Sequence, residues 1–148
     1  PYLGNDVLIT QDMCDLNEHM NVIYYAKIFE DEFPFYDSLG FTSDYFKQGY
    51  SFFTLEMNIR YLKEMRKGEI ASPCFRYFAV KPKLIHYGGV LLNESGEVSS
   101  ITENVLIHVD MNTRKSCEMS DSTIDHLKDM VAVHSATGEI DFELRLKI

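Results

Sequence analysis

The sequence lacks any long apolar run. Its longest uninterrupted stretches are a handful of residues, far short of the roughly 18–20 that a membrane-spanning helix needs. Positive charge is scarce as well: 14 Lys and Arg face 23 Asp and Glu across 148 residues, a formal net charge of −9. An acidic surface argues against general nucleic-acid or anionic-membrane binding, which needs basic groups to neutralise phosphate. Nothing at the N-terminus resembles a basic-then-apolar signal peptide. Three cysteines, Cys14, Cys74 and Cys117, are odd in number and about 40–60 residues apart. That spacing fits neither a disulfide framework nor a CxxC zinc site, and a reducing cytoplasm is the default expectation. There is no GxGxxG, P-loop, GxSxG or HExxH, so no cofactor and no metal is expected. No internal repeat and no Pro/Gly/Ser-rich linker divides the chain.

What is present suits one folded domain. Apolar residues make up 45% of the chain, with 10 Phe and 9 Tyr to pack, and about 150 residues suffice for a real core. Residues 5–12 read as a short strand. Residues 21–39 read as a helix that starts beside Asn21, a good N-cap, and stops at Gly40. Val22, Ile23, Tyr25, Ala26, Phe29 and Phe33 give it a broad apolar surface, so burial on most sides is expected, with a kink or early end at Pro34. From Phe53 the chain alternates, with Phe53, Leu55, Met57, Ile59 and Tyr61 on one face and Thr54, Glu56, Asn58 and Arg60 on the other, the mark of a half-buried strand. Further strands are expected at 70–81, 84–93 and 98–111, with turns at Lys81–Lys83 and Glu94–Glu97, then a short helix at 120–131. The last residues alternate again, with Ile140, Phe142, Leu144, Leu146 and Ile148 on one side. The fold class is α+β: antiparallel strands curled round one long helix. Residues 1–131 form the domain, and 132–148 form an extension that adds a strand to it.

The stretch Asp15-Leu-Asn-Glu-His19-Met-Asn21-Val-Ile-Tyr-Tyr25 puts a carboxylate, an imidazole and an amide in the loop leading into that helix. Unpaired N–H groups at a helix start carry partial positive charge and suit a developing oxyanion. A carboxylate beside them supplies a nucleophile or a general base for water. The same residues also suit plain turn, cap and packing duties. Three other features carry less. His108 and Asp110 share a strand face, with no third metal ligand nearby, which reads best as a solvated face. Lys63/Arg66/Lys67, Lys81/Lys83 and Arg114/Lys115 are ordinary loop ends singly and phosphate receivers together. Glu103 has the phase of the apolar face of its strand, so it has a partner, borders a pocket, or is turned outward by a bulge.

The motif Asp15-x-x-x-His19-Met20-Asn21, followed by Tyr24-Tyr25 and Phe29, resembles the D-x-x-G-H-(M/V)-N…Y…F motif of hotdog-fold acyl-CoA thioesterases of the 4-hydroxybenzoyl-CoA thioesterase type. Phe53-Thr-Leu-Glu56 through Tyr61-Leu-Lys-Glu64 and Gly68 is similar to the family's second strand and following turn. Lys83-Leu-Ile-His86 and Ser100-Ile-Thr-Glu103 through His108-Val-Asp110 resemble its last two strands. The set is especially similar to the thioesterase module associated with carnitine and betaine metabolism, over about residues 7–130. The resemblance implies a hotdog fold of five or six strands and hydrolysis of acyl-CoA. Asp15 would be the catalytic base or nucleophile and the backbone N–H near Val22 the oxyanion donor, with His19 and Asn21 shaping the loop. Tyr24, Tyr25, Glu56 and Glu103 would face the acyl group, with the helix aromatics able to meet a quaternary ammonium, and Lys63, Arg66 and Lys83 would receive CoA phosphates. It implies a homodimer or homotetramer. A non-catalytic acyl-CoA or lipid-binding hotdog module is the alternative. Glu18 stands where the family has Gly before the His, which matters if the backbone there needs positive φ.

Overall fold

Asn21 has extended backbone (φ −66°, ψ 146°) and its side-chain oxygen accepts the Ile23 N–H at 3.1 Å. That cap starts helix α1 at Val22, and α1 ends at Glu32, two residues before Pro34. The early end expected at Pro34 is therefore what forms, and a separate short helix α2 (Phe35–Ser38) follows it. The computed structural model describes residues 1–41 and 43–148. Beyond Gly40, at φ +67°, come α3 (Ser43–Lys47) and the long strands β3 (Tyr50–Tyr61), β4 (Ile70–Val80), β5 (Leu84–Leu92) and β6 (Val98–Asp110). Two-residue strands β1 (Tyr2–Leu3), β2 (Val7–Leu8) and β7 (Lys115–Ser116) complete a seven-stranded sheet, and α4 (Asp121–Ser135) follows. The strand order is β1-β4-β5-β6-β3, with β2 on β4 and β7 on β6. This is the expected α+β architecture, with seven strands where five or six were anticipated. Lys81-Pro82-Lys83 makes a two-residue hairpin, because Lys81 and Leu84 exchange N–H···O bonds at 2.8 and 3.2 Å.

The chain divides into two compact units. The first comprises Pro1–Phe33, Ile59–Phe75 and Gly88–Thr102, and the second Pro34–Asn58, Arg76–Tyr87 and Glu103–Ile148. In the first unit, α1 lays Tyr25, Ile28 and Phe29 inward. Phe29 meets Phe75 edge-on at 6.2 Å and Phe33 lies 4.9 Å from the same ring, while Met20, Met65 and Leu91 are fully buried. Gly89 is required by this packing: a Cβ there would sit 2.7 Å from the Phe75 ring and 2.9 Å from the Cys74 carbonyl. The helix is not buried on most sides, however. Val22 and Ile23 are 51% and 65% exposed, so one stripe, not a broad surface, meets the core.

In the second unit, α4 buries Leu127, Met130 and His134. The His134 ring stacks on Tyr77 at 5.8 Å and its Nδ1 accepts the Tyr77 N–H at 2.9 Å. Phe41, Tyr45 and Phe52 stack beside His108. Two expectations fail here. The row Phe53, Leu55 and Met57 is exposed, because β3 is the last strand of the sheet order, where alternation alone does not bring cover. The segment 139–148 forms no strand, although its apolar residues alternate half-buried with exposed neighbours. Its N–H groups at Arg145 and Leu146 go to the Glu103 carboxylate instead of a strand ladder. The expected boundary at 131/132 also falls inside α4, which runs on to Ser135.

Candidate active site

The loop before α1 is a tight hairpin. Cys14 and Met20 pair as an antiparallel bridge, the Asp15 N–H donates to the His19 carbonyl at 3.2 Å, and the Glu18 N–H donates to the Asp15 carbonyl at 3.0 Å. Closing so short a turn drives Glu18 to φ +63°, the left-handed region that glycine adopts freely. The family's glycine at this position thus has a physical reason, and Glu18 fulfils the turn under strain. Met20 ties the hairpin down by donating its N–H to the Met65 carbonyl at 2.7 Å.

The Asp15 carboxylate is held at both oxygens, unequally. Its Oδ1 accepts the Asn17 N–H at 2.8 Å, and among the described residues its Oδ2 accepts from Asn21 Nδ2, at 3.4 Å. Asn21 therefore links the carboxylate to the first turn of α1 that it caps. His19 donates its Nδ1–H to the Met20 carbonyl at 3.1 Å, leaving Nε2 as the other ring nitrogen. Val22 is the first residue of α1, and none of the hydrogen bonds among the described residues uses its N–H. It is one of the donors a helix leaves over at its start, where the helix dipole is positive.

A cleft of about 190 Å³ opens beside it, lined by His19, Met20, Val22, Tyr25, Tyr61, Leu62, Lys63 and Glu64. Tyr25 meets Tyr61 edge-to-face at 5.1 Å and points its hydroxyl at the Lys63 carbonyl, 3.5 Å away. Burial, chiefly, raises the Tyr25 phenol above its usual range, with Tyr61, Glu64 and Glu69 adding in the same direction. The charges at the rim are paired: Lys63 with Glu97, and Glu64 with Arg66 at 3.3 Å. All four side chains are about half exposed or more, so these pairs hold little energy.

Asp15, His19, Asn21, Val22, Tyr25 and Lys63 thus share one unit, and four of them line the cleft; Asp15 and Asn21 belong to the adjoining hairpin and are not among its lining residues. Tyr24 is half-buried on α1 without lining the cleft, and Arg66 is exposed beside it. Glu56 and Lys83 lie exposed in the second unit. Glu103, also there, is fully buried and has the partner its phase demanded: His86 donates its Nε2–H to Oε1 at 3.2 Å. Tyr61 was missed as a cleft wall; it closes the alternation of β3 directly before Leu62 and Lys63, which was its signal. His108 is buried, not solvated. It donates Nδ1–H to the Cys117 carbonyl at 3.1 Å and accepts from the Tyr45 hydroxyl, and burial lowers its pKa. Among the described residues no three candidate ligands converge on a metal position.

Residues 9–127 match the Thioesterase-like superfamily, and the chain belongs to that family. It is 29% identical over 117 residues to the L-carnitine dehydrogenase/betainyl-CoA thioesterase of Agrobacterium fabrum (strain C58), a match covering 76% of this chain and 24% of the relative. The protein of the same name from Rhizobium meliloti (strain 1021) is 26% identical over 132 residues, 88% of this chain and 27% of that one. The chain therefore spans about a quarter of the length of these curated relatives. Among solved structures, a hypothetical protein from Staphylococcus aureus in complex with CoA matches with a TM-score of 0.84 at 21% identity, covering 97% of this chain and 93% of that one. The DHNA-CoA thioesterase of the same organism matches with a TM-score of 0.78 at 20% identity, over 93% and 96%. These likenesses show the hotdog fold.

Proposed function

We propose that the chain hydrolyses acyl-CoA thioesters at the hairpin and cleft that open α1. The observation that carries this reading is the Val22 N–H, unused among the described residues at a positive helix end, on a residue that lines the cleft and follows the Asn21 cap bonded to the Asp15 carboxylate. In this reading Asp15 Oδ2 takes a proton from water while the water oxygen attacks the thioester carbonyl carbon. The carbonyl oxygen, now an anion, receives the Val22 N–H. The C–S bond then breaks, and the leaving thiolate takes the proton from Asp15, giving free CoA and a carboxylic acid. Attack by Asp15 itself, with a mixed anhydride hydrolysed afterwards, uses the same groups.

For the acyl group, the named activity of the curated relatives and the Tyr25–Tyr61 aromatic pair both favour a trimethylammonium acyl chain, which an aromatic face attracts. Lys63 and Arg66 at the rim suit the CoA phosphates. The exposed row Phe53, Leu55 and Met57 on the last strand of the sheet supports pairing with a second copy. A solution mass of twice or four times 17.2 kDa by light scattering supports that assembly, and 17.2 kDa alone overturns it.

Release of free thiol from a panel of acyl-CoAs tests the activity. The panel pairs betainyl-CoA with its neutral isostere, 3,3-dimethylbutanoyl-CoA. Preference for the cation supports the aromatic subsite, and equal rates overturn it without touching the hydrolase reading. Binding of CoA esters with no turnover of any ester overturns the hydrolase and leaves a binding module.

A further inference from the structure

The most deeply buried carboxylate in the second unit does no work in the proposed chemistry. Glu103, on β6, is 0% exposed. Its Oε1 accepts the Arg145 N–H at 3.0 Å and the Leu146 N–H at 3.1 Å, and its Oε2 accepts the Arg145 N–H at 2.9 Å. Two consecutive backbone donors of an extended segment therefore converge on one carboxylate, as a peptide does on a receptor group. His86 adds its Nε2–H at 3.2 Å, and burial lowers the pKa of that ring against the upward pull of Glu103. Three of the hydrogen bonds that reach the carboxylate thus come from the backbone of the segment.

The segment itself has the marks of a docked ligand. Residues 139–148 belong to no helix or strand, yet Ile140, Phe142, Leu144, Leu146 and Ile148 are half-buried in strict alternation with five exposed charged residues. It enters past a clamp, where Arg76 donates to the Gly138 carbonyl and to Thr137 Oγ1, both at 2.8 Å. One flank packs loosely: a cavity of about 350 Å³ lies between Arg76, Tyr77 and Phe78 on β4, Val131 on α4, and Ile140 and Leu144 of the segment. The match to the family model ends at residue 127, before the segment begins. An element outside helix and strand, partly buried and bordering a cavity, sits at the low-stability end of a structure.

We propose that the second unit holds a peptide groove whose receptor group is Glu103, and whose resident ligand is the chain's own segment 139–148, docked reversibly on a domain that stays folded without it. Undocking opens the cavity under Ile140 and Leu144 and hydrates the His86–Glu103 pair, so the segment acts as a strap over that face.

Hydrogen exchange on the full-length chain tests this, with trypsin, which cuts after Arg145 and Lys147, as a second readout. In the wild type the amides of 140–148 are protected, and they exchange at least 10-fold faster than those of β6. Glu103→Gln keeps the size but aims an NH₂ at the two N–H donors; protection in the segment then falls about 10-fold or more and tryptic cleavage speeds up equally, with β6 protection retained. Arg145→Pro deletes a donor from an exposed position and releases the segment in the same way, whereas Arg145→Ala keeps the N–H and changes nothing. The proposal is overturned if the wild-type segment exchanges only together with β6, if it is unprotected from the start, or if Arg145→Pro behaves like Arg145→Ala.

Discussion

Asp15 and Glu103 are carboxylates in opposite surroundings. Glu103 is sealed from water and surrounded by N–H donors from His86, Arg145 and Leu146. Asp15 is half-exposed, with one oxygen fixed by Asn17 and the other touched only at 3.4 Å by Asn21. A carboxylate whose lone pairs are filled by fixed donors holds structure and has no capacity left to accept a proton from a reactant. One held firmly at one oxygen and loosely at the other is oriented and still able to accept. The two units repeat this contrast in their other polar groups. The Val22 N–H of the first unit is uncommitted, while in the second unit His86, His108 and His134 each have a partner and a lowered pKa. Burial and saturation mark architecture; oriented vacancy marks a reactive site.

The largest effect expected from this contrast is on turnover. Asp15→Asn removes the base while keeping an oxygen for the Asn17 N–H, and thiol release should fall by about 10²–10⁴ with little change in melting temperature. Val22→Pro is the sharper variant. Proline is accepted at the first helical position, and the extended backbone of Asn21 (φ −66°, ψ 146°) already suits a residue before proline. The helix is retained and one N–H disappears. Loss of an oxyanion donor costs about 2.7–4 kcal/mol of barrier, so kcat should fall by roughly 10²–10³. Turnover undiminished in Val22→Pro would show that the helix start is not the oxyanion site, and the contrast drawn above would fail.

A middle-sized effect lies in the second unit. Burial, first, with the N-terminal ammonium and Arg76 adding in the same direction, presses the His134 pKa down to about 4, and its Nδ1 is committed to accepting the Tyr77 N–H. The unfolded chain takes up this proton near pH 6.5, before the folded chain does. Stability from His134 is therefore present above about pH 6.5 and is lost as pH falls from there through about 4. Between pH 7.5 and 4.5 this amounts to roughly 2–3 kcal/mol, readable by urea denaturation at the two pH values. His134→Gln keeps an acceptor for Tyr77 without the titration, so its loss over the same range should be smaller by about that amount. An acid loss identical to that of the wild type would assign the sensitivity to His86 and His108 instead.

Local chemistry was legible in the sequence because local chemistry determines it. The Asn21 cap, the break at Pro34, the turn at Lys81–Lys83 and the loop carrying Asp15 follow from residues within a few positions of each other. The inward phase of Glu103 was legible too, but its partners were not, since Arg145 lies 42 residues away. The same distance effect concealed His108. Its strand pattern reads as a solvated face, whereas Tyr45, 63 residues earlier, bonds its ring and Tyr50 and Phe52 pack beside it. Alternation misled twice for a related reason. It reports a chain with two unlike faces, and both the exposed row on β3 and the segment 139–148 have those faces. Whether such a chain becomes an inner strand, an edge or a docked peptide depends on which backbone groups find partners, and that is set by topology.

The smallest effect returns to the hairpin that presents Asp15. Glu18 holds φ +63° because the Asp15–His19 closure demands it. A side chain in that region costs about 1–2 kcal/mol, part of which glycine gives back through the greater freedom of its unfolded chain. Glu18→Gly should therefore raise stability by about 0.5–1 kcal/mol, seen as a rise of a few degrees in melting temperature, with kcat within about threefold of the wild type. Glu18→Ala is the control, because it removes the carboxylate and keeps the Cβ that causes the strain. No gain in Glu18→Ala assigns the cost to backbone conformation. An equal gain in both variants would assign it to repulsion between Glu18 and the other acidic groups of the hairpin. The geometry favours the first outcome: the Glu18 carboxylate is exposed, where charges interact weakly through water, whereas its φ is fixed by two backbone hydrogen bonds that a substitution does not remove.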